Sequence, residues 1–450
     1  MRPTKVAQTM RTALVLLAGT VIASEANGPR TMGMGLLIIS TGIGAEEVSE
    51  FALSDNPAAL EATRPPALRL TEYGYCYERG SRTSERKALE GIGYPALPAP
   101  NHDVGLFIED LTWPAFWDHA PSGVQGRFRL GPGVLGADAD YVWCHQQWWV
   151  QSRDTYTFGT VTSLPRAALD WATRLGPVSA GAGAFLAHEV VLVGEPLPYH
   201  PLVEAWFPGS RLGALFGGDA LLAGASVGYY HVSQHVGGGW SDADWHMGMN
   251  AVSRPVDWLR LGLRGGWDLV GMPYPGPEEH TNPWAEFRAG LVPPSIPFSA
   301  GIQAGWTDLS IVGRTNHEDS VAAGIGAAWH RTGLLAGLDM SASRQATRAY
   351  DYSEVVITRV VKFGVELGRF RQLRCGAFLR PRTYNLLTYS TATTRSQEWG
   401  LTAGLGIPLG YVQVDVGYVC KWAWADSIQG HEHSVHEVAL GVAYRPTVGQ

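Results

Sequence analysis

From about residue 242 onward the chain alternates, residue by residue, between large apolar side chains and small or charged ones. Trp245, Met247, Met249 and Ala251 form one row, with His246, Gly248 and Asn250 between them. After Pro255-Val256-Asp257 the next row is Leu259, Leu261, Leu263, Trp267 and Leu269, opposed by Arg260, Gly262, Arg264, Gly266 and Asp268. The pattern returns in Val321 to Trp329, in Leu334 to Met340 after Arg331-Thr332-Gly333, and in Val355 to Leu367 before a tight connection at Gly368 to Arg371. It returns again in Trp399 to Ile407, in Val412 to Tyr418 after Pro408 to Gly410, and in Val438 to Tyr444. Alternation of period two puts one row on each face of a β-strand. A membrane span needs roughly 9 to 11 residues per strand, and these segments of about 10 to 15 meet that, whereas soluble strands average about 5 to 6. Short connections alternate with longer polar ones, as the two ends of a membrane barrel require. Aromatics such as Trp245, Trp267, Trp329, Trp399, Tyr418 and Tyr444 stand towards segment ends, where interfacial girdles would be. The chain therefore reads as all-β: a transmembrane antiparallel β-barrel of 14–18 strands in a bacterial outer membrane. The count is even because both barrel ends should lie on the periplasmic side.

Composition agrees. Charged residues are only 17% of the chain and Gly supplies 55 of 450 residues, while mean hydropathy is close to zero. Soluble domains carry about 25% charge. A net charge of −7 without a basic block argues against nucleic acid as a partner. Arg2, Lys5 and Arg11, the apolar run Ala13 to Ala23 and small residues at Ser24-Glu25-Ala26 read as a signal peptide over 1–26. No later segment is an apolar stretch of helical spanning length, which excludes a helical membrane protein. The four cysteines, Cys76, Cys144, Cys375 and Cys420, are scattered and read as packing residues.

The N-terminal half is less regular. Residues 67 to 79 read as a first strand, and hairpins turn at Gly131-Pro132-Gly133 and at Gly176-Pro177. Residues 80 to 122, with Trp113, Pro114, Phe116 and Trp117, read as a long loop; residues 194 to 218 receive no assignment.

Between the signal and the first strand lies a segment without strand pattern. It holds Arg30-Thr31-Met32-Gly33-Met34-Gly35, then Ala45-Glu46-Glu47, then Asn56-Pro57-Ala58-Ala59-Leu60. Asn56 can cap a short helix with its side-chain oxygen, and Pro57 suits the first helical position. In their order these pieces resemble the N-terminal region of the FadL-type superfamily, closest to its PorV- and PorQ-like branch. Arg30, Met32, Gly33, Met34 and Gly35 fit the first motif of that region; Asn56, Pro57, Ala58 and Leu60 fit the second, with Ala59 in place of the usual Gly. The specific match covers about 30 residues, since the rest of the barrel pattern is generic. The resemblance implies that residues 27–65 fold as a hatch inside a barrel made by 66–446. Members of the superfamily include diffusion channels for fatty acids and aromatic hydrocarbons, and barrels that serve type IX secretion. One departure is the C-terminus, where Tyr444 is followed by Arg445 to Gln450 instead of ending the chain.

Motifs with a chemical look fail their context tests. Gly224-Ala225-Ser226-Val227-Gly228 matches the nucleophile-elbow pattern but sits in a strand. Gly131 to Gly136 matches a dinucleotide fingerprint, but no helix follows. His431, His433 and His436 cluster before the last strand and read as solvated loop histidines, so no metal and no cofactor are expected. Trp113, Trp117, Trp143, Trp148 and Trp149 read as belt or loop aromatics before a solute platform. Arg260, Arg264, Asp268, Lys362, Glu366, Gln413 and Asp415 are the candidate lumen-facing polar residues, an ionic network bracing the interior. The chain is read as no enzyme. Two functions remain: passive transport of small hydrophobic or amphipathic molecules, or a PorV-like barrel that binds secreted proteins or a type IX secretion complex. Outer-membrane lipid is a partner in either case.

Overall fold

The computed structural model describes residues 34, 53, 56–61, 68–80, 111–115, 122–150, 155–194, 200–218, 220–234, 240–272, 278–310, 317–348, 353–368, 371–387, 391–410, 412–425 and 432–444. The signal segment, Arg30, Met32, Gly33, Gly35 and residues 445–450 lie outside them.

Strands follow one another along the chain. The first nine are β1 (Leu68–Gly80), β2 (Leu111–Ala115), β3 (Ser122–Leu130), β4 (Gly133–Val150), β5 (Thr155–Leu175), β6 (Val178–Gly194), β7 (His200–Gly218), β8 (Leu221–Gln234) and β9 (Trp240–Val256). Then come β10 (Leu259–Met272), β11 (Glu278–Leu291), β12 (Phe298–Ser310), β13 (His317–Arg331) and β14 (Leu334–Arg348). The last are β15 (Ser353–Leu367), β16 (Gln372–Leu387), β17 (Thr391–Leu409), β18 (Val412–Ala425) and β19 (Glu432–Tyr444). From β3 onward each strand pairs with the next, and β1 closes the sheet by pairing antiparallel with β19 on one side, from Leu68↔Tyr444 to Gly80↔His433, and with β3 on the other, from Leu68↔Gly126 to Thr71↔Gly123. A sheet closed on itself satisfies its backbone groups between strands, the condition for a sheet to exist in hydrocarbon.

The wall has one strand position in two pieces. β3 pairs with the first part of β4, from Leu130↔Gly133 to Ser122↔Tyr141, and β2 takes over higher on the same edge, from Ala115↔Gln147 to Leu111↔Val150. The 19 strands thus fill 18 places. Residues 111–115 therefore belong to the wall and not, as the sequence suggests, to a loop. Pro114 hides this, because proline has no ladder donor; it falls where the β2–β4 register shifts, between Thr112 and Ala115. Residues 200–218 are likewise a full strand despite Pro201 and Pro208. Beside Pro208, Gly209 leaves room for the Phe185 ring to lie over the backbone.

One end of the barrel is closed by connections mostly of two residues. At Gly131-Pro132 and Gly176-Pro177 the glycines have φ of 59° and 65°, as a type II′ hairpin needs at its first position. Two of these turns are tighter than the sequence suggests: β9 continues through Pro255 to Val256, and β17 through Pro408 to Leu409. Adjacent turns are tied together, as by Gly217 N–H to Pro177 O (3.1 Å) and Gly368 N–H to Gly333 O (2.8 Å). β1 begins and β19 ends at this turn end, and the opposite end carries the longer connections.

Exposure alternates along the strands as the sequence predicts. Leu263 and Trp267 are 52% and 44% exposed, while Arg260, Gly262, Arg264 and Gly266 between and beside them are buried. Val321, Ile325, Trp329, Leu338, Phe363, Trp399 and Leu401 are exposed in the same manner, so the apolar row faces outward. In β12 the outward aromatics Phe298 and Trp306 are eight residues apart. At about 3.4 Å per residue and a tilt of about 40° this separates them by ~21 Å in height, close to the ~25 Å apolar band of outer-membrane barrels. The chain is a transmembrane antiparallel β-barrel of the bacterial outer membrane.

Candidate functional site: the lumen at the turn end

Two features occupy the interior near the two-residue turns. The first is a 3-10 helix, Pro57–Glu61, lying against the inner faces of β4 to β7. Asn56 begins it as the sequence suggests: its Oδ1 accepts from the Ala58 N–H at 3.0 Å, and the Ala59 N–H donates to the Asn56 carbonyl at 2.9 Å. The amide nitrogen of the same side chain turns to the wall. It donates towards the Ala214 and Ala225 carbonyls, both at 3.2 Å, and towards Asn250 Oδ1 at 3.4 Å. Ala214 and Ala225 are cross-strand partners in β7 and β8, and Asn250 belongs to β9. One buried side chain, 2% exposed, thereby caps the helix and fastens it to three strands.

Packing completes the attachment. Leu53, Ala58 and Ala59 form a buried apolar cluster with Leu215 of β7, flanked by Leu222 and Val252. The wall beneath is stripped of side chains: a Cβ at Gly181 would lie 2.5 Å from Pro57 C and 2.7 Å from Ala58 Cα, and one at Gly136 would lie 2.9 Å from Leu60 Cδ2. Asn56, Pro57, Ala58 and Leu60 are thus brought together on the inner wall. Met34 is fully buried.

The second feature is a series of ion pairs on the remaining inner wall. Arg264 donates through Nε to Glu286 Oε2 at 2.6 Å, across β10 and β11, and its guanidinium lies 5.9 Å from the centre of the Trp284 ring. Arg260 is buried and donates to the carbonyls of Val256 (3.2 Å) and Leu259 (3.1 Å). Arg288 donates to Gln303 Oε1 at 3.3 Å. On β5 and β7, Arg211 makes a two-pronged pair with Asp170, with Nε to Oδ1 at 2.7 Å. Lys362 stands cross-strand from Asp339, near the Arg380–Glu398 pair at 3.1 Å. Arg374 joins Glu366 (2.8 Å), Gln372 (2.6 Å) and Asp415 (2.5 Å), and Gln413 also donates to Asp415 at 3.1 Å.

Arg260, Arg264, Lys362, Glu366, Gln413 and Asp415 all fall on this inner face; Asp268 takes its place in β10 opposite His246 and Asn282. The sequence reading does not single out Arg374, Glu286, Arg288, Asp339, Asp170, Arg211 or Asn250, which supply the partners. Arg374, Glu286, Arg288, Asp339 and Asn250 have the parity of a recognised lumen residue on a neighbouring strand, and cross-strand register is the signal that finds them; Asp170 and Arg211, on β5 and β7, have no such neighbour. What the arrangement does chemically is hold charge in compensated form, since a buried guanidinium left alone would be costly.

The other motifs take structural places. Ser226 lies in the middle of β8, where the strand runs on to Gln234, and Gly131-Pro132 is the β3–β4 turn. His436 Nδ1 lies 2.7 Å from the Tyr418 hydroxyl, and no group of three metal-binding side chains occurs among the described residues. Trp113, Trp143, Trp148 and Trp149 fall in β2 and β4, while Trp117 and His431 lie outside the described residues. Cys375 and Cys420 are free thiols, the first exposed and the second buried.

No protein-family model and no curated relative matches the chain. Among solved structures it is similar to the CymD monoaromatic hydrocarbon channel, with 13% identity over 93% of this chain and 97% of that one, at a TM-score of 0.36. It is similar to the Ralstonia pickettii toluene transporter TbuX, with 12% identity over 94% and 98% of the two chains and a TM-score of 0.38. A third is Pseudomonas aeruginosa OccK3, at 10% identity over 83% and 94%, with a TM-score of 0.33.

Proposed function

We propose that this barrel is a passive outer-membrane channel of the FadL type for small hydrophobic or amphipathic molecules, and that residues 27–65 are its hatch. The observation that carries the reading is the double use of Asn56. A segment capped and anchored through one side chain, on a wall cleared by glycines, can be loosened by changes at a few positions. Its apolar cluster with Leu215 is buried between segment and wall, so loosening the segment would uncover an oily patch beside an otherwise polar wall. An apolar solute crosses such an interior more readily than a uniformly charged one. The test is flux of an apolar solute into liposomes carrying the purified protein. Flux above that of empty liposomes, raised further by loosening the segment, is the expected result; no flux of any apolar solute in either form refutes the proposal.

The second reading, a PorV-like barrel that binds secreted proteins or a type IX secretion complex, draws on the ionic inner wall. Ion pairs such as Arg374 with Glu366 and Asp415 are more than an oily conduit needs. Affinity purification from the native membrane that returns only lipid counts against it.

A further inference from the structure

The outward face of β14 to β17 departs from the apolar pattern towards the long-connection end. On β14 the exposed row runs Leu338, Met340, Ala342 and then Arg344; on β15, Phe363, Val361 and then Arg359; on β17, Leu401, Trp399, Gln397 and then Arg395. Arg344, Arg359 and Arg395 are all exposed, and Arg348 follows on the β14 row. The ladder sets the four strands in line: Arg344 faces Ile357, Ile357 faces Thr383, and Thr383 faces Arg395. Three strand spacings of about 4.8 Å put Arg344 and Arg395 ~14 Å apart, with Arg359 ~7 Å off that line. Long arginine side chains cover such a span.

Carboxylates match only one of them. Asp319 accepts from Arg344 Nη1 at 2.7 Å, and Asp308 is its cross-strand neighbour on β12. Among the described residues no carboxylate pairs with Arg348, Arg359 or Arg395. Arg344 and Arg395 stand beyond the last large apolar side chain of their rows, and Arg359 lies between Val361 and Ile357 at the border of the apolar band. Long guanidinium side chains at that border reach headgroup depth, and longer barrel connections face the cell exterior. We infer that this face binds the phosphate groups of a phosphorylated glycolipid of the outer leaflet, with Arg344, Arg359 and Arg395 as its phosphate ligands and the outward Met340, Val361 and Trp399 against its acyl chains. Guanidinium forks suit phosphate oxygens, which take two parallel hydrogen bonds from each.

The test uses the full-length protein in mixed micelles with a bis-phosphorylated bacterial glycolipid, its dephosphorylated form, and inorganic phosphate as competitor. Binding is read by native mass spectrometry and by titration. Replacing Arg344, Arg359 and Arg395 together by Gln should weaken binding of the phosphorylated lipid at least about tenfold, since each basic residue near a membrane surface adds attraction for an anionic lipid. The triple Lys variant should retain most of the affinity, and unheated gel migration should show each variant folded. The single variant Arg395→Gln should bind measurably more weakly on its own. Equal binding of the dephosphorylated lipid, or an unchanged affinity in the triple Gln variant, overturns the inference. So does complete displacement by millimolar inorganic phosphate, which would make this a site for the free anion.

Discussion

Arg374 and Asp415 lie on strands that do not pair, β16 and β18, yet their side chains meet at 2.5 Å. Between them runs β17, and the residue at the crossing is Gly406, paired with Gln372 on one side and Asp415 on the other. A Cβ at this position would stand 2.6 Å from Gln372 Oε1 and 2.8 Å from Asp415 Oδ1, and would also press on the Arg374 guanidinium. The absence of one side chain is what lets a guanidinium serve carboxylates on both flanks. Gly406→Val should therefore separate Arg374 from Asp415 and lower stability by about 1 to 3 kcal/mol, the cost of a buried charged group losing a partner. Arg374→Met should cost more, ~3 kcal/mol or above, because it leaves Glu366 and Asp415 both without their cation. Urea unfolding from lipid vesicles measures both; equal stability of Arg374→Met and wild type would show that lumen water already satisfies these carboxylates.

Asn56 performs two tasks that substitution can separate. Serine keeps an oxygen for the Ala58 N–H but loses the donor to Ala214, Ala225 and Asn250. Aspartate keeps the cap as well, and sets a carboxylate against the same two carbonyls. Asn56→Asp should free the segment from the wall more than Asn56→Ser does, with loss of about 1 to 3 kcal/mol in local opening free energy. Hydrogen exchange of the Ala58 and Ala59 amides reads the difference. Identical protection in both variants would mean that packing against Leu215 holds the segment without the amide.

The glycine floor gives a sharper way to move the same segment. Gly181→Ala would drive a methyl into the backbone of Pro57 and Ala58, which no side-chain rotation relieves. Gly228→Ala is the control: on the same inner wall its Cβ would meet His246 Cβ at 3.6 Å and Ser210 O at 3.8 Å, ordinary contacts. The first variant should raise solute flux through reconstituted barrels several-fold and the second should leave it unchanged. Higher flux from both, or from neither, would break the link between the segment and permeation.

Most of the wall was legible because its signal is periodic. The rows around Leu263, Ile325, Leu338, Phe363 and Leu401 announce both strand and face. β16 is quieter: its outward row is Leu373, Cys375, Ala377 and Leu379, two of them small, so neither the strand nor the inward parity of Arg374 stands out. β11 has the same difficulty, since Ala285 and Ala289 dilute its outward row while Trp284 lies on the inner one, hiding Glu286 and Arg288. In β2 and β7 prolines mask strands that accommodate them at a register shift or beside a glycine. The capping role of Asn56 could be read from its neighbour Pro57. Its bonds to Ala214 and Ala225 could not, because they join residues more than 150 positions apart that share only backbone chemistry.

The assignment of faces itself can be put to a paired substitution. Ile325 is the centre of the outward row of β13 and 58% exposed. Ser341, in the adjacent strand β14, is paired with Gly324 and shares its parity with the buried Gly337 and Asp339, so it faces the lumen. An arginine at 325 must place its guanidinium at the middle of the hydrocarbon, which costs about 2 to 4 kcal/mol in barrels of this kind. An arginine at 341 enters a lumen that already holds Asp339 and Lys362, and should cost under about 1 kcal/mol, as a surface change does. Folding into lipid vesicles at graded urea separates the two values. In detergent, where the belt is pliable, the gap between them should shrink. If Ser341→Arg proves the costlier in vesicles, the two faces have been exchanged and the lumen site with them.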